Sequence, residues 1–177
     1  SSHPGSVAVM KENGASRTAI LALHGATPVF HRLPDEAKIH DVGFCGVITA
    51  RRRKILEELG QPFDVSVLED WDHAHVNTFF NRCRIVLNLH AREEREIQQR
   101  IADAMASGSC VVTEPLPAGH PYPEDCLVQT EDLAGVIRAV LADDVMREAT
   151  ARRAEEWVWR HFRFEQQVEK LLEVVGV

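Results

Sequence analysis

Apolar residues in this chain follow two alternating periods. Short continuous runs, Val65-Ser66-Val67-Leu68, Ile85-Val86-Leu87-Asn88-Leu89 and Cys110-Val111-Val112-Thr113, have the length of strands buried on both faces. Asp41-Val42-Gly43-Phe44-Cys45-Gly46-Val47 is a further strand candidate, and Cys126-Leu127-Val128 reads as a short edge strand. Between these runs the apolar positions recur at helical spacing. Thr49 is a plausible N-cap for a helix ending near Leu59, before Gly60 and Pro62. Asp72 to Cys83 carries Val76, Phe79, Phe80 and Cys83 on one side. A helix is predicted from about Glu94 to Ser107, stopped at Gly108. After Glu131 the pattern is helical throughout, with a break at Asp143-Asp144 and a last helix from Phe164 to Val175.

Strands alternating with helices predict βαβ units, hence an α/β fold: a doubly wound parallel sheet, Rossmann-like, with C-terminal helices. The regular pattern begins at Asp41, so residues 41–177 are read as the domain. Residues 1–40 are read as an irregular segment, a linker or the remnant of a preceding domain, in which Val7–Met10 and Ala19–Leu23 are short strand candidates. Pro115, Pro117, Pro121 and Pro123 exclude regular structure between the fourth and fifth strands.

Charge and composition narrow the function classes. Net charge is -7, which argues against a nucleic-acid partner. No apolar run nears the roughly 20 residues of a membrane span, and no signal peptide is legible, so a cytoplasmic location is expected. The four cysteines follow no ligand spacing and read as reduced, buried thiols. Asp72-His73-Ala74-His75 lacks a third ligand at helical spacing, so no metal site is expected. Trp157, Trp159 and Phe162 read as packing residues.

Several motifs then carry a resemblance. Asp41–Gly46 is similar to the first strand of the second domain of GT-B glycosyltransferases. Thr49-Ala50-Arg51-Arg52, the strand Ile85–Leu89 with His90, and the block Arg100–Gly108 followed by Val111–Glu114 resemble the CgeB-like, group 1 branch of that class. The similarity runs from about Asp41 to Leu172. It implies the donor-binding half of the enzyme, which holds a nucleotide-diphosphate sugar and needs no metal or redox cofactor. It also implies an acceptor-binding domain or partner chain.

The residues suit that expectation chemically. The turn from Gly46 to Thr49 runs from a strand into a helix N-terminus, where free N–H groups favour phosphate. Arg51 and Arg52 could add bidentate contacts. The resemblance puts Asp103 where the family's glutamate binds the ribose hydroxyls; a carboxylate can accept both hydrogens of a cis-diol. Thr113 and Glu114 open the loop after the fourth strand, which the resemblance places near the donor. Retaining members of the wider class carry a Glu-x7-Glu pair ending at this position. The earlier position here is Arg95, so the catalytic candidates are the flanking Glu94 and Glu96, with His90 at the strand end. The departure motivates an alternative, a non-catalytic GT-B-like binding or scaffolding module. A dinucleotide enzyme is disfavoured because no Gly-x-Gly-x-x-Gly follows the first strand.

Overall fold

The computed structural model describes residues 24–175. The predicted strands at Val7–Met10 and Ala19–Leu23 lie outside the described residues. Five strands form one parallel sheet: β1 (His40–Cys45), β2 (Val65–Leu68), β3 (Cys83–Asn88), β4 (Cys110–Thr113) and β5 (Val128–Gln129). Their order is β2-β1-β3-β4-β5, with every pairing parallel. The helices are α1 (Ala50–Leu59), α2 (His73–Arg82), α3 (Gln99–Ala106), α4 (Leu133–Ala142), α5 (Asp144–His161) and α6 (Phe164–Val175).

Burial on both faces explains the unbroken apolar runs. On one face Val42, Phe44, Ile85, Leu87 and Val112 pack with Leu56 of α1 and Ile137 of α4. On the other, Val86 and Val111 pack with Phe80 of α2, Ile101 and Met105 of α3, and Val158 of α5. Each fully buried aliphatic contributes roughly 1.5–3 kcal/mol. All four cysteines are buried and free. Phe162 is 3% exposed and packs with Trp157 and Tyr122.

Local chemistry sets the helix ends. Thr49 accepts the Arg52 N–H and starts α1. Asp72 accepts the N–H groups of Ala74 and His75 and starts α2. Asp143 accepts from Met146 and separates α5 from α4. Gly108, at φ +69°, ends the α3 segment in the left-handed region.

One helix is shorter than its sequence predicts. α3 begins at Gln99, not Glu94, and no side chain caps it. The residues before it are engaged elsewhere. The Glu96 N–H donates to His90 Nδ1, Thr49 Oγ1 donates to the Ala91 carbonyl, and Arg95 pairs with Glu131. These contacts tie residues 91–96 to the end of β3, to Thr49 and to Glu131 in a non-helical path.

The segment before β1 packs on the domain. Phe30 is 3% exposed and lies in the core. The Ala26 N–H donates to the Phe162 carbonyl, and the Phe164 N–H donates to the Ala26 carbonyl. The segments on either side of the sheet unit, around residues 26 and 163, therefore lie side by side.

Candidate donor site at the switch point

The strand order reverses between β1 and β3, since the chain goes from β1 out to β2 and returns to β3 on the other side. That reversal opens a crevice beyond the C-terminal strand ends, the usual ligand position in open parallel sheets. A cavity of about 440 Å³ occupies it. Gly46 and Val47 after β1, Ala91 and Glu96 after β3, and Gln99, Arg100 and Asp103 of α3 form one wall. Phe30, Val76 and Phe80 give the cavity apolar lining, and Trp71, 79% exposed, also lines it.

The expected phosphate ligands divide. Gly46 lines the cavity with φ +137°, a conformation that favours glycine. A Cβ there would lie 2.9 Å from Arg100 Nη2. Arg52 also lines the cavity but is 4% exposed and satisfied internally. Its guanidinium donates to the carbonyls of Leu89 (2.8 Å) and Val47 (2.8 Å) and to Gln98 Oε1 (3.1 Å). Burial lowers its pKa, against the pull of Glu96 and Glu114. Arg51 is paired with Glu114 through both terminal guanidinium nitrogens and also donates to the His90 carbonyl. Thr49 is committed to the cap and to Ala91.

Glu114 and Thr113 are internal. Thr113 is fully buried, accepts from Asn88 Nδ2 and donates to the Glu114 carbonyl. Glu114 is 8% exposed. Burial alone would raise its pKa, but the Arg51 guanidinium and the His90 N–H outweigh it and hold the carboxyl below the usual range. The Arg51–Glu114 pair thereby braces the ends of β3 and β4.

Of the catalytic candidates, Glu96 lines the cavity and Glu94 does not. Both are exposed residues of the β3–α3 segment rather than helical ones. His90 is 3% exposed; Nδ1 accepts the Glu96 N–H and Nε2 faces the Pro115 carbonyl at 3.0 Å. These partners select the Nε2–H tautomer and leave no ring nitrogen for a substrate. Among the described residues no cluster of histidine, cysteine and carboxylate is poised for a metal. Asp72 serves as a cap, and His75 pairs with Asp70.

Asp103 is 7% exposed and lines the cavity. Burial raises its pKa to about 7, partly opposed by a hydrogen bond from Gln99 and by the Arg100 charge. Arg100, one turn earlier, is the residue that sequence reading passed over. Its Nη1 is shut off from solvent without a hydrogen-bond partner among the described residues. Its guanidinium carbon lies 4.6 Å from the Phe44 ring centroid. Burial and the nearby Arg52 charge bring its pKa down to about 10, so it remains a cation at neutral pH. The legible signal was an arginine in the first turn of a helix, where the dipole disfavours a cation.

The fold and the crevice define a class, a Rossmann-like domain with the fold found in GT-B glycosyltransferases. The Glycosyl transferase-like family profile matches residues 45–173, and the chain belongs to that family. Solved structures agree in fold at low sequence identity. Sucrose-phosphate synthase from Thermosynechococcus elongatus is 15% identical with a TM-score of 0.67; the match covers 86% of this chain and 51% of that one. An S. aureus TarM variant in complex with fondaparinux, alpha-GlcNAc-glycerol and UDP is 12% identical with a TM-score of 0.66, covering 99% of this chain and 43% of that one. The C-terminal domain of a glycosyl transferase group 1 family protein from Francisella tularensis is 11% identical with a TM-score of 0.56, covering 76% of this chain and 96% of that domain. The chain thus spans about half the length of the first two. No curated protein matches it by sequence. Among the described residues no helix is long and apolar enough to cross a membrane.

Proposed function

We propose that this chain binds a nucleotide-diphosphate sugar in the β1–β3 crevice and serves as the donor half of a glycosyltransferase. The observation that carries the reading is the pair on α3: an arginine with an unpartnered nitrogen and, one turn on, a carboxylate, both lining one cavity. A diphosphate would neutralise Arg100 and meet the uncapped N-terminus of α3 together with the Gly46 backbone. An anion at that point removes the conflict between Arg100 and the helix dipole. Asp103 would accept the ribose hydroxyls, and the exposed Trp71 supplies a flat apolar surface beside them for the base. In transfer, the sugar–phosphate bond breaks as an acceptor oxygen bonds to the sugar. Arg100 would stabilise the departing diphosphate, and the acceptor's proton would pass to a base.

The UDP in one structurally similar protein supports a nucleotide of this kind. The GtfA/B complex, a further fold match, supports a partner chain as one source of an acceptor site. A binding module without chemistry is the second reading. It is favoured by the engagement of both His90 nitrogens and of Glu114 within the protein.

Calorimetric titration with UDP, GDP and ADP tests the proposal. Binding of at least one is expected, with Arg100→Leu weakening it by tenfold or more without loss of thermal stability. Failure of the wild-type chain to bind any of them across the pH range overturns it.

A further inference from the structure

Asp103 is oriented by a single side chain whose own position is set by the segment before β1. Gln99 Oε1 accepts the Gly25 N–H at 3.2 Å, and Gln99 Nε2 donates to the Gly25 carbonyl at 3.1 Å. Pairing with both groups of one residue decides which end of the amide is nitrogen. The same Nε2 donates to Asp103 Oδ1 at 2.5 Å. Gly25 can approach this closely because it has no side chain. A Cβ there would lie 2.6 Å from the Phe164 nitrogen. Gln99 is thus clamped by a backbone that is itself wedged against the start of α6. Its one hydrogen bond to Asp103 has a fixed direction.

Building on the donor-site reading above, we propose that Gln99 is a positioning residue for Asp103, holding one carboxylate oxygen so that the other faces a diol in the cavity. No cation reaches Asp103 at hydrogen-bond distance among the described residues, so the Gln99 N–H is its one side-chain donor. The groups facing Asp103 otherwise are Arg100 on its own helix, Cys45 at the end of β1 and Tyr122 after β4. Arg52, Asp70, His73 and Glu96 line the rest of the cavity. Only Arg100 among the first three favours the ionised carboxylate; it acts by charge alone, and the Gln99 bond is the larger of the two favourable influences. Losing that bond therefore moves the protonation midpoint of Asp103 upward, while a merely structural role for Gln99 leaves the midpoint where it is.

The experiment is a pH titration of the Asp103 side-chain carboxyl by carbon-13 NMR on the ligand-free chain, paired with UDP and GDP binding at pH 7 and 9. Wild type, Gln99→Leu and Gln99→Glu are compared. Gln99→Leu removes both functions of the amide. Gln99→Glu keeps an acceptor for the Gly25 N–H but loses the donor to the Gly25 carbonyl and to Asp103, and serves as the second variant if the leucine variant fails to fold. Both variants are expected to titrate at higher pH than wild type, the glutamate variant most, because it adds a like charge. Nucleotide binding is expected to fall on the order of fivefold at pH 7 and to stay reduced at pH 9, where Asp103 is ionised in all three proteins but is no longer held in the variants. An unchanged Asp103 midpoint in a folded variant overturns the inference, as does full recovery of affinity at pH 9, which would leave Gln99 no part in holding the carboxylate. If the midpoint moves but the wild-type chain binds no nucleotide, the donor reading fails while the orienting bond stands.

Discussion

At the residue scale, neighbouring arginines have different fates because of partners remote in sequence. Arg51 belongs to Glu114, 63 positions away, and Arg52 belongs to carbonyls at the strand ends. Of these three arginines at the crevice, Arg100 has a buried nitrogen without a partner among the described residues, which is why we propose it for the phosphate. Asp103 adds a stability consequence. Its pKa in the fold is about 7, above the ordinary aspartate value of 3.8. Between those values the folded state keeps a proton that the unfolded chain has lost, so stability falls as pH rises and the loss is complete above about pH 7. Asp103→Asn removes this cost. Its stability is expected to match wild type near pH 4 and to exceed it by roughly 4 kcal/mol at pH 8. Denaturant melts at both pH values check this; an equal difference at both would show that Asp103 titrates normally.

Among the elements, the strands and most helices follow from local signals. Thr49 caps where the sequence predicts, and Asp72 and Asp143 cap at the helix start and the helix break read from the pattern, because a short polar side chain before an apolar-periodic segment satisfies N–H groups by itself. The exception is the start of α3. Residues 92–96 have helical composition, yet the Glu96 N–H is taken by His90 from the end of β3. The contact of residues 24–26 with residues 162–164 was equally illegible, since it joins segments well over a hundred positions apart. Gly25→Ala tests that contact. Its Cβ would meet backbone at 2.6 Å, which cannot move aside as a side-chain tip can. A loss of about 2 kcal/mol is expected, with faster hydrogen exchange at the Ala26 and Phe164 amides and little change in β1 and β3.

For the whole molecule, the crevice presents one exposed catalytic candidate, Glu96. Its mouth carries the exposed Trp71 and Val47, and His90 and Glu114 have no free groups to serve as a base. The chain alone is therefore expected to bind a nucleoside diphosphate and to release sugar from a nucleotide-sugar donor no faster than buffer does. Rapid release by the chain alone, measured as free sugar, would show that the site is catalytically complete. The periodicity of the chain by itself determined the parallel α/β fold, the strand set and the presence of Asp103 on a helix beside a crevice. Those features depend on short-range spacing and on burial, which a linear pattern records. Only the tertiary structure decided which arginine stays unpartnered, where α3 begins, and that Gln99 rather than a cation orients Asp103. Each of these is a competition for hydrogen-bond partners between segments distant in sequence, and the outcome depends on distances that exist only once the sheet has brought the strand ends together.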